Sequence, residues 1–167
     1  MSSAAPTFDP VPTVNLACFE VDSQTFALEV GYVREVVRVQ EIVPLPKAPA
    51  LIEGLIDLRG HLIPVLDLAR ALGRGRANSS GEARIVVVHD RGLVFGLWVD
   101  AATGVLNLED RRLTPVPELA TRDGYAAVRG VVRRSGDTPV MVLSIDDLIE
   151  TVCRTAPSEI AALGENT

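Results

Sequence analysis

Histidine, cysteine, lysine and aromatic residues are all scarce in this 167-residue chain. Each scarcity closes off a class of function. The only histidines are His61 and His89 and the only cysteines Cys18 and Cys153. A tetrahedral metal centre needs three or four such ligands converging. Neither histidine sits in an H-x-x-x-H pattern, and the cysteines form no C-x-x-C pair, so no metal site is expected. Two distant cysteines in a chain without a secretion signal read as reduced, half-buried hydrophobes. Of the 16 basic residues only Lys47 is a lysine, and the formal net charge is −6. That balance argues against nucleic acid and against an anionic membrane surface. The one basic run, Arg70, Arg74 and Arg76, lies in a glycine-rich stretch and reads as a solvated linker. Its glycines are not followed by the Lys-Ser/Thr of a phosphate loop, and no G-x-S-x-G nucleophile turn occurs. No uncharged apolar run reaches about 18 residues, so no membrane span is expected. The start, MSSAAPTFDPVPT, has neither a basic nor an apolar leader region, which gives a cytosolic expectation.

What the chain does have is aliphatic bulk. Hydrophobic residues make up 47% and aromatics 4%, with a mean hydropathy of +0.25. A sizeable core is therefore affordable, and it must be built from Val, Leu and Ile. Residues 1–13 read as a disordered lead. Stretches 14–21 and 25–30 alternate around Asp22-Ser23-Gln24 and predict a β-hairpin. Segment 31–39 is ambiguous, because its valines sit at helical spacing yet suit a strand; one helical turn leading into a strand is the favoured reading. Pro44, Pro46 and Pro49 force an extended loop.

In GLIDLRGHLIPVLDL, residues 54–68, Arg59-Gly60 makes a tight turn between two apolar runs. Pro64 implies an edge strand or a bulge. A short helix fits 67–72, and the polar stretch 73–82 reads as a mobile loop. Strand patterns resume at 84–89 and 93–99 around Asp90-Arg91-Gly92, then at 104–108. A long connection over 109–124 precedes 125–134 and 138–145, which flank Ser135-Gly136-Asp137. Ser144 and Asp147 form a capping signature for a closing helix whose Leu148, Ile149 and Val152 share a face. About ten short strands with frequent turns predict small barrels.

Catalytic apparatus is hard to find. The strand end LWVDAATG could present Asp100 as aspartic proteases do, but those sites need Asp-Thr/Ser-Gly, and Ala101-Ala102 follow instead. Asp57, Asp67, Asp110 and Asp146 read as solvated or helix-capping carboxylates. A β-rich aliphatic domain of this kind is expected to work by binding.

Taken in order, the hairpin FEVDSQTFALEV, then YVREVV, APALIEGLIDLRG, IPVLDL, VFGLWVD and MVLSIDDLIE resemble the CheW family of bacterial chemotaxis coupling proteins over about 14–153. The resemblance implies two five-stranded SH3-like barrels around a shared hydrophobic core, with a short C-terminal helix. Subdomain 1 would span about 14–66 plus the helix at 145–153, subdomain 2 about 67–144, and 154–167 would be a tail. It further implies a non-catalytic adaptor without cofactors, cytoplasmic at receptor arrays beneath the inner membrane. Its partners would be the cytoplasmic tip of methyl-accepting receptors and the regulatory domain of a CheA-type histidine kinase. The adaptor would be monomeric alone and join the kinase in rings, and a groove between the lobes would accept the receptor's helical hairpin. By residue matching, Arg59 pairs with Glu35, and Val33, Gly60, Arg84 and Val105 fall at receptor- or kinase-binding positions. Arg84 and His61 depart from the family's usual residues. The alternatives are a CheW-like adaptor of a sister pathway, such as twitching motility, surface sensing or developmental signalling, and a small β-barrel carrier or enzyme.

Overall fold

The computed structural model describes residues 13–76, 79–109, 113–116, 127–133 and 138–153. Strand β1, Thr13–Val21, turns at Asp22-Ser23 into β2, Gln24–Glu29. A 3-10 turn, Val30–Tyr32, leads into β3, Val33–Arg38, which resolves the ambiguous valine run as one helical turn followed by a strand. After the proline loop come β4, Ile52–Leu58, and β5, His61–Asp67. A short helix α1, Leu68–Ala71, precedes β6, Arg84–Asp90, and β7, Leu93–Val99. Then follow β8, Ala101–Glu109, β9, Leu113–Thr114, β10, Val128–Val132, and β11, Val140–Leu143. Helix α2, residues 145–153, closes the described chain.

The strands form two sheets, ordered β8-β1-β2-β11-β10-β9 and β3-β6-β7-β5-β4. Each lobe has its own interior. Leu16, Ala27, Leu108, Val132 and Val142 fill the first, and Ile56, Ile63, Val65, Ile85 and Val87 fill the second. A third and larger cluster belongs to both. Phe19, Phe26 and Leu28 from the first sheet meet Leu66, Val86, Phe95 and Leu97 from the second, with Leu148 of α2. The two-barrel architecture around a shared core is thus present, with each barrel left open along one edge of its strand pairing.

The chain reaches this arrangement by a different division from a cut at 66/67. Strands β1 and β2 belong with β8–β11, because Met141 and Val142 pair in parallel with Phe26 and Ala27. Residues 33–99 alone make the second sheet. The cut failed because it followed sequence order, whereas the long-range parallel pair carries no local signal. Ile149 and Val152 of α2 line an apolar groove with Ile52 of β4, Pro64 and Leu66 of β5, and Leu93 and Phe95 of β7.

Several local details also depart from expectation. Pro64 is on a central strand, between β4 and β7. It is tolerated because the parallel pairing with β7 begins one residue later, at Val65 opposite Gly96, so its missing N–H falls outside that ladder. Asp67 is buried, and it caps α1 by accepting the Arg70 N–H at 3.2 Å. Cys153 is exposed and Cys18 half-buried, both as free thiols.

The polar stretch 73–82 is anchored at its start. The N–H of Arg74 donates to Ala69 and that of Gly73 to Arg70, the paired bonds of a Schellman motif. The Arg74 guanidinium, its side chain only 18% exposed, lies 3.3 Å from Asp22. The lead 1–12, the turn 135–137 and the tail 154–167 lie outside the described residues. Strand β9 falls inside what read as one long connection. The expected cap of α2 is in place, Ser144 Oγ accepting the Asp147 N–H at 3.2 Å.

Candidate functional site

Strands β3 and β4 are the two edges of the second sheet. A two-pronged ion pair links β3 to the turn that follows β4. Arg59 donates from Nη1 to Glu35 Oε2 at 2.8 Å and from Nη2 to Glu35 Oε1 at 2.6 Å. The two guanidinium nitrogens match the two carboxylate oxygens, the geometry that makes Arg–carboxylate pairs strong and directional. Just beyond β3, Gln40 Nε2 donates to the Asp57 carbonyl at 2.7 Å. Val43 and Leu55 then exchange two backbone bonds, each 2.8 Å. The segment after β3 therefore curls across the lobe and stitches one edge to the other. Arg59 sits on the seam.

Its position follows from local backbone chemistry. Leu58 pairs with His61, so the β4–β5 connection is the two-residue loop Arg59-Gly60. Both residues have positive φ, 53° and 86°. This is the hairpin twist that matches the strands and that Gly satisfies at the second position without strain. Asp57 Oδ1 accepts the Gly60 N–H at 2.8 Å and fixes the loop. Arginine at the first position is unfavourable in itself, and its side chain is held by Glu35.

The site stays open to solvent, with the Arg59 side chain 72% exposed and that of Glu35 21%. The hydrogen bond from Arg59 holds the Glu35 carboxyl below the ordinary carboxylate range, assisted by the positive fields of Arg59 and Arg34, and desolvation opposes the shift. The same pairing pushes the Arg59 guanidinium further up.

The six candidate residues do not form one patch. Glu35, Arg59 and Gly60 stand together. Val33 starts the same strand but packs against the shared core. Arg84 lies at the far end of β6, opposite Arg38, and its Nη1 donates to the carbonyls of Gly81 at 3.0 Å and Ala83 at 2.8 Å. Val105 belongs to the other sheet, on β8, where it is 69% exposed. Among the described residues no three His, Cys, Asp or Glu side chains are grouped to hold a metal ion. Asp100 accepts the Asp22 N–H at 2.8 Å and serves the β1–β2 turn.

The sequence profile of the CheW-like domain matches residues 15–153. This chain belongs to the CheW-like family. Similar relatives include "Chemotaxis protein CheW" of Rhizobium meliloti (strain 1021), 34% identical over 121 residues, covering 72% of this chain and 78% of the relative. "Protein FrzA" of Myxococcus xanthus is 30% identical over 146 residues, covering 87% and 91%. Among solved structures, the scaffolding protein TtCheW from Thermoanaerobacter tengcongensis superposes with a TM-score of 0.75 at 30% identity, covering 87% of this chain and 93% of that one. The CheW-like domain thus takes in both sheets and α2.

Sequence reasoning missed four residues of the CheW-like seam and its surround. Gln40 and Gly54 belong to the seam itself; Arg34 and Leu62 stand beside the ion pair. Leu62 could not be told from its neighbours by alternation, because Leu66 lies on the same face of β5 and is buried. Gly54 could not be found either, because the close approach to it is made by Val43, eleven positions earlier in the chain.

Proposed function

We propose that the chain is a non-catalytic adaptor that couples methyl-accepting receptors to a CheA-type histidine kinase in the cytoplasm. Membership of the CheW-like family, with relatives named for chemotaxis and a solved relative described as a scaffolding protein, supports this reading. The observation that carries it to a site is the exposed, bidentate Glu35–Arg59 pair on the barrel seam. A strong ion pair left in water contributes little to folding, because solvent screens it. A fixed guanidinium beside apolar surface is instead well made for orienting a partner. Gly60 belongs to this surface by position. Val105 is exposed on the other lobe and suits a separate contact, so receptor and kinase would engage different faces. Val33 acts through the shared core, and Arg84 supports the loop before β6. Among the described residues no helix is long and apolar enough to cross a membrane, consistent with attachment through partners.

The test is reconstitution. Purified chain, receptor signalling fragment and kinase should form a ternary complex in which kinase activity rises, and Arg59→Ala should abolish that rise while the protein remains folded. Failure of the wild-type chain to bind either partner sinks the reading. A second reading, an adaptor of a sister pathway, is favoured by the FrzA relative, which matches over as much of the chain as any chemotaxis relative named here. Preference for a receptor from a non-flagellar system over a flagellar one would select it.

A further inference from the structure

Away from the seam, α2 leaves an apolar groove beside its last turn. Leu66 and Phe95, both buried, lie at its base. The helix contributes Ile149 and Val152. Leu93, which is 45% exposed, and the exposed Cys153 stand at the mouth. The groove presents no polar atom to the space it encloses, which is about 220 Å³. An apolar cavity of about 150 Å³ stays dry and takes up a benzene-sized molecule. This groove therefore has room for two aliphatic side chains, and its surface is unfavourable to leave in water.

The sequence beyond Cys153 supplies a matching pair. It reads RTAPSEIAALGENT, residues 154–167. Pro157 disfavours a helical backbone at Ala156, so α2 cannot simply run on through it. Ser158 then offers an N-cap, Glu159 an acid for a first turn, and Gly164 a C-terminal stop. Between them Ile160 and Leu163, the two large aliphatic residues of the stretch, stand three apart and would share one face of a helical turn. A turn of this length does not hold by itself in water, so it needs an apolar surface to form against. The groove is within reach. Cys153 is both the last described residue and part of the lining, and the seven positions from there to Ile160 span at most roughly 25 Å. So short a tether also gives an effective concentration on the order of millimolar, which favours the chain's own segment over a second copy.

We infer that residues 158–164 fold back as one helical turn over this groove, with Ile160 and Leu163 seated against Leu93 and Phe95. The segment is an intramolecular cover, and it keeps the groove closed to other apolar segments. The inference does not depend on the adaptor reading.

The experiment follows amide hydrogen exchange and methyl NMR of the full chain, in wild type, Leu163→Ser, Leu93→Ser and the control Ala161→Ser, whose substitution falls on the other face of the turn. In wild type the amides of 160–164 are expected to exchange at least tenfold more slowly than in an unfolded peptide, with cross-peaks from the Leu163 methyls to Leu93 and Phe95. Leu163→Ser changes the cover and Leu93→Ser the groove, and each should remove most of that protection while the unfolding curve keeps its shape. The control should retain it. Binding of the apolar dye ANS should rise several-fold in Leu163→Ser. Wild-type amides exchanging at the unfolded-peptide rate overturn the inference, and so does dye binding equal in wild type and Leu163→Ser. Cross-peaks found only between differently labelled copies in a mixed sample assign the groove to a second copy and overturn it as well.

Discussion

Gly54→Ala is the substitution that most sharply tests the seam. Gly54 has φ of 153°, and a Cβ built there would stand 2.3 Å from the Val43 carbonyl oxygen. That oxygen accepts the Leu55 N–H at 2.8 Å, and the Val43 N–H returns to Leu55 at the same distance. The methyl group therefore meets rigid backbone, not the tip of a side chain. Relief requires the 39–43 segment to leave β4, with loss of both bonds at about 0.5–1.5 kcal/mol each. The unfavourable φ adds about 1–3 kcal/mol. The expected destabilisation is roughly 2–6 kcal/mol, which for a domain of this size lowers Tm by roughly 5–20 °C. Gly60→Ala is the comparison. It too has positive φ, yet nothing lies within 4 Å of its added Cβ, so only conformational strain of about 1–2 kcal/mol is expected. Trp98, the one tryptophan in the chain, packs on the core of this lobe. Urea unfolding followed by its fluorescence reads the seam directly. A Gly54→Ala protein that melts within about 1 °C of wild type, or no lower than Gly60→Ala, refutes the reasoning.

Other outcomes follow from the same geometry. The Glu35 carboxyl is held below its ordinary value of 4.5, so its contribution is present above that value and is lost as pH falls through the depressed one; Arg59→Ala should bring its midpoint, read by carboxyl NMR, back toward 4.5. In receptor binding, Arg59→Glu should be worse than Arg59→Ala, and the swap Glu35→Arg with Arg59→Glu should recover part of it if the pair's mutual contact is what matters. Thiol titration should count two free groups, the exposed Cys153 reacting fast and Cys18 slowly; zero thiols after unfolding would contradict the free state of both. Doubling the length of 73–82 with Gly-Ser inserted after Arg76 should cost only about 0.6 kcal/mol, whereas Arg74→Ala should lower Tm further, because Arg74 is docked on Asp22.

Local pattern made most of the strands legible. Alternation located β1, β2, β6 and β7, the capping pair Ser144 and Asp147 located α2, and turn chemistry located the loops at Asp22-Ser23, Arg59-Gly60 and Arg91-Gly92. These features depend on residues a few positions apart. The division of the sheets was not legible, since it depends on β2 meeting β11 across the length of the chain. Strand β9 is two residues long, too short for any periodicity. The pairing of Glu35 with Arg59 came from family resemblance; what the structure adds is that it ties edge strand β3 to the turn after β4. Leu62 and Arg34 were passed over because a leucine in an aliphatic run looks like core, and because the β3 bulge between Val33 and Glu35 cannot be read from alternating residues.

The path of the chain between the sheets bears on how force would pass through the molecule. The backbone crosses from one lobe to the other at Val30–Tyr32, again at Asp100 and a third time at Ser144. Domain closure by hinge bending needs a few residues that absorb the whole rotation. Three separate crossings, tied together by one continuous block of side chains, leave no such axis. A push on the Arg59 hairpin would therefore arrive at Val105 as a displacement of the whole body. The separation between Arg59 on one lobe and Val105 on the other is set like the length of a strut.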